Sequence, residues 1–246
     1  QNAVPNAGSG PGGGYLGNDF RAAYAPGTTL TGAGQIVGLV QFDGYNAADI
    51  SYYESQAGLP SVTLSNVLLN GASETPTGNG GEVEVSLDIE ATISMAPGLA
   101  QVMNYIAPNP TPFETILNRM ASDDAAKQLS CSWFIPRGEA NPAAEQIFQE
   151  MAIQGQSFFN ASGDHDAYTG LIDYPSDSPN ITQVGGTTLT TTGPGGARVS
   201  ETVWNRNNGT GSSGGISTQY PIPAWQTNID MSANQGSSTM RNVPDV

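Results

Sequence analysis

Strand and helix signals alternate through the first two thirds of the chain, and that alternation limits the fold more than any other feature. Residues 35–41, Gln-Ile-Val-Gly-Leu-Val-Gln, form a short apolar run that ends at Asp43-Gly44, the pattern of a buried strand. Asn46 is an N-cap for a helix expected to reach Ala57, with Gly58 as its stop. Strands are expected at 62–69, 101–106, 128–133 and 156–161, with a helix at 112–122. Asn141-Pro142 supplies a cap and a first-turn proline for a further helix running to Gln154. Strands that alternate with helices make parallel neighbours, so the expected fold is α/β, a doubly wound, mostly parallel sheet with helices on both faces. In such a sheet ligands gather at the carboxyl ends of the strands, which singles out 42–44, 133–138 and 162–166. From Ile181 onward the helical signals stop and Thr/Gly-rich hairpins are expected. Residues 1–31, rich in Gly, Pro and Ala, are expected to wrap the surface of one domain spanning 1–246.

Charge narrows the function. Seven Lys and Arg stand against 22 Asp and Glu, for a net charge of -15, which argues against nucleic acid and anionic membranes as partners. No apolar run reaches the roughly 18 residues of a membrane span. Once its carboxylates are neutralised in acid, such a chain carries few positive charges and repels itself little. The composition suits an acidic environment. The first 14 residues have neither a basic stretch nor an apolar one, so any secretion signal is expected to have been removed already.

Cys131 is the only cysteine, which excludes an intrachain disulfide, and its apolar setting reads as a buried, inert thiol. His165 is the only histidine, which leaves little room for a His-based zinc site or a Ser-His-Asp triad. No Gly-x-Gly-x-x-Gly follows a strand, so a dinucleotide site is not indicated.

The chemistry concentrates in residues 82–95, Glu-Val-Glu-Val-Ser-Leu-Asp-Ile-Glu-Ala-Thr-Ile-Ser-Met. Its polar/apolar alternation favours a strand, whereas its length and the closing Ala96-Pro97-Gly98 favour a helix. On a helix Glu84 and Asp88 stand one turn apart on one face, close enough to titrate as a pair. An ordinary solvated acidic face accounts for the same residues. A second candidate is Ala161-Ser162-Gly163-Asp164, where an Asp on a glycine turn after a buried strand either closes the turn or presents its carboxyl to a cleft.

At these residues the chain resembles the sedolisins, serine-carboxyl peptidases with a subtilisin-like fold. Glu84-Val-Ser-Leu-Asp88 followed by Met95-Ala-Pro-Gly98 is similar to the family's helix with its catalytic Glu and Asp. Ser130-Cys-Ser-Trp133 is similar to its strand ending in Ser-Trp, and Ala161-Ser-Gly-Asp164 to its oxyanion-hole turn. Glu201-Thr-Val-Trp204-Asn205, Ser213-Gly-Gly-Ile-Ser217, Pro221-Ile-Pro-Ala-Trp225-Gln226 and Val243-Pro-Asp-Val246 follow in the family's order. The resemblance runs from about Gly14 to the last residue. It implies that 82–95 is a helix. It further implies that Glu84 is the base, that Asp88 orients it, that Asp164 stabilises the oxyanion, and that Ser132, Trp133 and Asp173 contact substrate.

The sequence departs from the family at several points. No Gly-Thr-Ser triplet, the family's nucleophile motif, occurs in these 246 residues. Gln41 stands where some members carry an extra acid, and Phe134 where glycine is common. The resemblance implies calcium, with no ligands for it in this chain. The expectation is therefore a secreted, acid-acting endopeptidase whose serine arrives on a C-terminal chain from the same precursor, the 246 residues being C-terminally incomplete. The alternative is a catalytically silent or truncated peptide-binding scaffold of the same fold.

Overall fold

The computed structural model describes residues 7–136 and 138–246. Six strands form the main sheet, in the order β2-β3-β1-β4-β5-β7: β1 (Ile36–Gln41), β2 (Leu64–Leu68), β3 (Gln101–Ile106), β4 (Gln128–Cys131), β5 (Ser157–Ala161) and β7 (Thr182–Val184). The pairs β1–β3, β2–β3 and β5–β7 are all parallel, so the fold is the expected α/β sheet. The chain divides into two compact units, residues 1–129 with 188–202, and residues 130–187 with 203–246.

The first unit holds four helices, α1 (Asn18–Tyr24), α2 (Ala47–Ala57), α3 (Gly81–Met95) and α4 (Phe113–Asp123). The cap of α2 is the expected one: the Asn46 side chain accepts from the Ala48 N–H, and Gly58 ends the helix. Helix α1 was not expected. Residues 1–31 read as surface wrap because a seven-residue helix offers too few turns for a periodic signal. Asp19 nevertheless fixes α1, its carboxylate accepting from the amides of Ser9, Leu16 and Gly195. Those bonds hold its carboxyl below the ordinary Asp value, although burial acts more strongly than any single bond in the other direction. Residues 1–6 of that segment lie outside the described residues, as does Arg137 of the 133–138 segment.

The core of this unit is apolar. Leu39 and Val40 of β1, Val102, Tyr105 and Ile106 of β3, and Ile116, Leu117 and Met120 of α4 are buried. Strand β8 (Thr187–Thr191) pairs with β9 (Arg198–Val203) as a hairpin.

The second unit holds helix α5 (Pro142–Ile153), capped by Asn141 as expected, and a three-stranded sheet ordered β11-β10-β6. Its strands are β6 (His165–Ala167), β10 (Gly211–Pro221) and β11 (Met240–Val243). Much of its interior is polar: Asn160, Ser162, Ser176, Asp177, Ser178, Gln183, Ser213, Ser217 and Arg241 are all buried. Buried polar groups cost free energy unless they are bonded, and most of these are. Glu145 takes four donors, the hydroxyls of Tyr174, Tyr220 and Ser178 and the Asn180 amide. Arg241 forms a two-pronged pair with Asp245 at 2.7 and 2.6 Å and stacks on the Trp225 ring.

Candidate active site

Residues 82–95 are helical throughout, within α3. Val85, Ile89 and Ile93 are fully buried at four-residue spacing, while Val83, Leu87 and Met95 are exposed. The alternation that favours a strand is thus the overlap of two helical stripes, one buried and one exposed. Glu84 and Asp88 lie between them, one turn apart and half-buried, where a carboxyl can be oriented by the core and still reach a ligand. Burying the three apolar side chains contributes about 1.5–3 kcal/mol each, so the helix is held by its packed face, with no side-chain cap at its start.

Gln41, the last residue of β1, is fully buried and donates its side-chain amide to Asp88 Oδ2 at 2.8 Å. An amide donor fixes one carboxylate oxygen without titrating. Two residues on, Asp43 is also buried. Its Oδ1 accepts from the amides of Gly44 and Thr77, and its Oδ2 accepts from the Thr77 hydroxyl. Gly44 has to be glycine there, because a Cβ would collide with the Glu74 carbonyl. The last residue of β1 thereby sets Asp88, and the turn after it sets the loop leading into α3.

Glu90, on another face of α3, has its carboxyl pushed up, first by burial and then by the Asp49 charge.

In the second unit β5 ends at Ala161 and delivers Ser162, Gly163 and Asp164 on a tight turn. Asp164 is exposed and, with Ser130, Ser132, Asn160 and Gly186, lines a cavity of about 310 Å³ at the strand ends. Cys131, on the same wall, is buried and free of any disulfide, as expected. Its sulfur accepts from the Trp133 amide at 3.3 Å, which ties down the half-buried Trp133. Asp173 does not line this cavity. It borders a second one of about 430 Å³, with His165, Tyr168 and Leu171.

No family model matches the chain. Over its whole length it is 33% identical to kumamolisin of Bacillus sp. (strain MN-32), of which it covers 46%. It is 30% identical to sedolisin of Pseudomonas sp. (strain 101), over 95% of this chain and 44% of that protein. A solved Pseudomonas sedolisin, a serine-carboxyl proteinase complexed with two molecules of pseudo-iodotyrostatin, superposes with a TM-score of 0.81 at 26% identity. That match covers 99% of this chain and 70% of the other. The chain belongs to the sedolisin family. It spans just under half the length of these two curated relatives.

Within this sedolisin-family chain the structure brings Glu84 and Asp88 together on one helix, and Ser132 and Asp164 to one cavity wall. Three features escaped the sequence: the Asp43 clamp, the Gln41 bond to Asp88, and the Tyr168 hydroxyl, which donates to the Ser162 carbonyl on the Asp164 turn. For Gln41, its position at the end of a buried strand was visible, and so was its place where some family members carry an extra acid, but not its bond to Asp88. Among the described residues no three His, Cys, Asp or Glu side chains converge as metal ligands. Nor is any helix among them long and apolar enough to cross a membrane.

Proposed function

We propose that this chain is the larger part of a secreted, acid-acting endopeptidase that cleaves polypeptides by serine acyl transfer. The observation that carries the reading is the helical pair, Glu84 and Asp88 one turn apart on the half-buried stripe of α3, with Gln41 bonded to Asp88. The sedolisin homology supports the same assignment. The serine comes from polypeptide outside these 246 residues, on a C-terminal chain from the same precursor. In this reading calcium too is held by residues outside the chain, and no step here depends on it.

Glu84 accepts the serine proton as the hydroxyl oxygen attacks the substrate carbonyl. Asp88 orients Glu84 and shares that proton, and Gln41 keeps Asp88 facing its partner. As the carbonyl oxygen gains charge, Asp164 in its carboxylic acid form donates a hydrogen bond to it. The proton on Glu84 then passes to the leaving amine, and water reverses the sequence to free the acyl group. A His base, with a reference pKa near 6.5, is already protonated at about pH 3–4, whereas a Glu near 4.3 can still accept a proton there. Ser132, on the wall of the Asp164 cavity, Trp133, the residue after it, and Asp173, in the second cavity, contact the substrate chain.

The test is proteolysis of an unfolded protein by the complete enzyme across pH. Turnover should peak at about pH 3–5, near the carboxyl reference values. An assembled protein that cleaves nothing in acid, or a Glu84→Gln variant with full activity, would favour a silent peptide-binding scaffold instead.

A further inference from the structure

The turn that carries Asp164 lacks the support a helix gives its own residues. Gly163 sits at φ 109°, a backbone shape that L side chains rarely adopt, so the turn must be held by partners from elsewhere. The first partner is Ser213 of β10. Its amide donates to the Gly163 carbonyl at 2.9 Å, its hydroxyl accepts from the His165 amide at 2.8 Å, and its carbonyl accepts from the Ser162 hydroxyl at 2.7 Å.

Beside Ser213, against the same glycine, the second partner is a phenol. The Tyr168 oxygen lies 2.9 Å from the Ser162 carbonyl oxygen and 3.1 Å from Asp173 Oδ2. A Cβ on Gly163 would come within 2.6 Å of it, so the hydroxyl sits directly against that glycine. The Tyr168 backbone is itself anchored, its amide donating to the Gly214 carbonyl at 2.9 Å. Asp173 is buried and, like the Ser213 hydroxyl, is also within reach of the phenol.

We propose that Tyr168 is a positioning residue for the oxyanion-hole carboxyl. Its single hydroxyl hydrogen, shared between the Ser162 carbonyl and Asp173, ties the turn that aims Asp164 to Asp173. This rests on the reading of Asp164 given above. A phenol suits the task because it presents a rigid donor on two rotatable bonds. Burial, and then the Asp173 carboxylate, raise its pKa well beyond the ordinary tyrosine value, so it remains a donor at every pH at which the enzyme works. Asp173 consequently has two duties, one towards the cavity it borders and one towards Tyr168.

The variant Tyr168→Phe removes the hydroxyl and keeps the ring. In the complete enzyme kcat should fall about tenfold, the kinetic equivalent of one hydrogen bond, with KM within about twofold. Inhibition by a peptide aldehyde should weaken by the same factor, because the hemiacetal oxygen uses the same donor. An unchanged kcat, or a loss of kcat with aldehyde inhibition intact, would overturn the proposal.

Hydrogen exchange separates this from failure of the functional reading. If wild-type enzyme cleaves nothing in acid, the catalytic assignment falls, and the oxyanion role of the turn falls with it. Exchange still reports on the holding itself. Faster exchange at the 162–165 amides alone in Tyr168→Phe would support a turn held by the phenol, and exchange equal to wild type would refute it.

Discussion

The two candidate carboxyl sites are positioned by different physics. Glu84 and Asp88 stand on a regular helix whose buried stripe, Val85, Ile89 and Ile93, packs into an apolar core. Asp164 stands on a strained turn inside a polar unit, held by Ser213 and Tyr168, which lie well outside the turn or beyond its end. Packing of a helix face is non-directional and repeats every turn, so many residues share the work. Hydrogen bonds to a turn are directional and few, so each matters to one place. A helix suits the pair proposed to exchange a proton, because the one-turn spacing is built into the backbone. A turn suits the single carboxyl proposed as donor, which projects past the strand ends into a cavity.

Chemistry gives the largest expected effect. In the complete enzyme Glu84→Gln should lower kcat by about 10²–10⁴-fold, because the base is gone while the helix face is untouched. Asp88→Asn should cost less, since it spoils orientation without removing the base. Asp164→Asn should cost least, because an amide can still donate to the oxyanion. Steady-state kinetics at the pH optimum of each variant would check the order. Asp164→Asn losing more than Glu84→Gln would place the decisive group on the turn instead of the helix.

Stability sharpens the same contrast. Ile89→Ala, at a fully buried site, should destabilise the protein by about 2–5 kcal/mol in denaturant unfolding, because it leaves a cavity under α3. Ser213→Ala should cost about 1–3 kcal/mol, by stranding the His165 amide that now donates to the hydroxyl. Its signature should be local, with faster exchange at His165 before any global loss. If Ser213→Ala cost as much as Ile89→Ala, and did so uniformly, the turn would be part of a common core and the contrast would fail.

That division also explains what could be read in advance. The α/β sheet, the caps Asn46 and Asn141, and the strand ends were legible because they depend on period and on local cap chemistry. Residues 82–95 were ambiguous because Val83 and Leu87 are apolar yet exposed, which turns a helical stripe into an apparent alternation. The family resemblance, not the pattern, decided for the helix. Helix α1 was missed because Asp19 stabilises it through Ser9 and the distant Gly195, and nothing near α1 announces the second of these. Tyr168 was missed for the same reason: its acceptors, Ser162 and Asp173, lie six and five residues away with no periodicity linking them.

The smallest expected effect lies deepest in the polar unit. Asp177 is fully buried; its Oδ2 accepts from the Ser217 hydroxyl at 2.6 Å, and its Oδ1 meets no hydrogen-bond donor among the described residues. Burial pushes its carboxyl above the ordinary Asp value. The Ser217 bond opposes that, the Glu145 charge adds to it, and Arg241 opposes it again. Because the folded state holds the proton more tightly than the unfolded one, the favourable contribution is complete below the unfolded value, about 3.9. It is lost as pH rises from there through the folded value, and above that point the loss is constant. Asp177→Asn cannot ionise, and its amide oxygen still accepts from Ser217. Thermal unfolding should therefore give similar Tm values for the two proteins at pH 3, with the variant higher at pH 7 by about 2 °C or more. This polar interior would then be one built for acid, weakened by neutral pH through a carboxyl that has no role in the reaction. Equal dependence of Tm on pH in both proteins would show that Asp177 does not couple folding to acid.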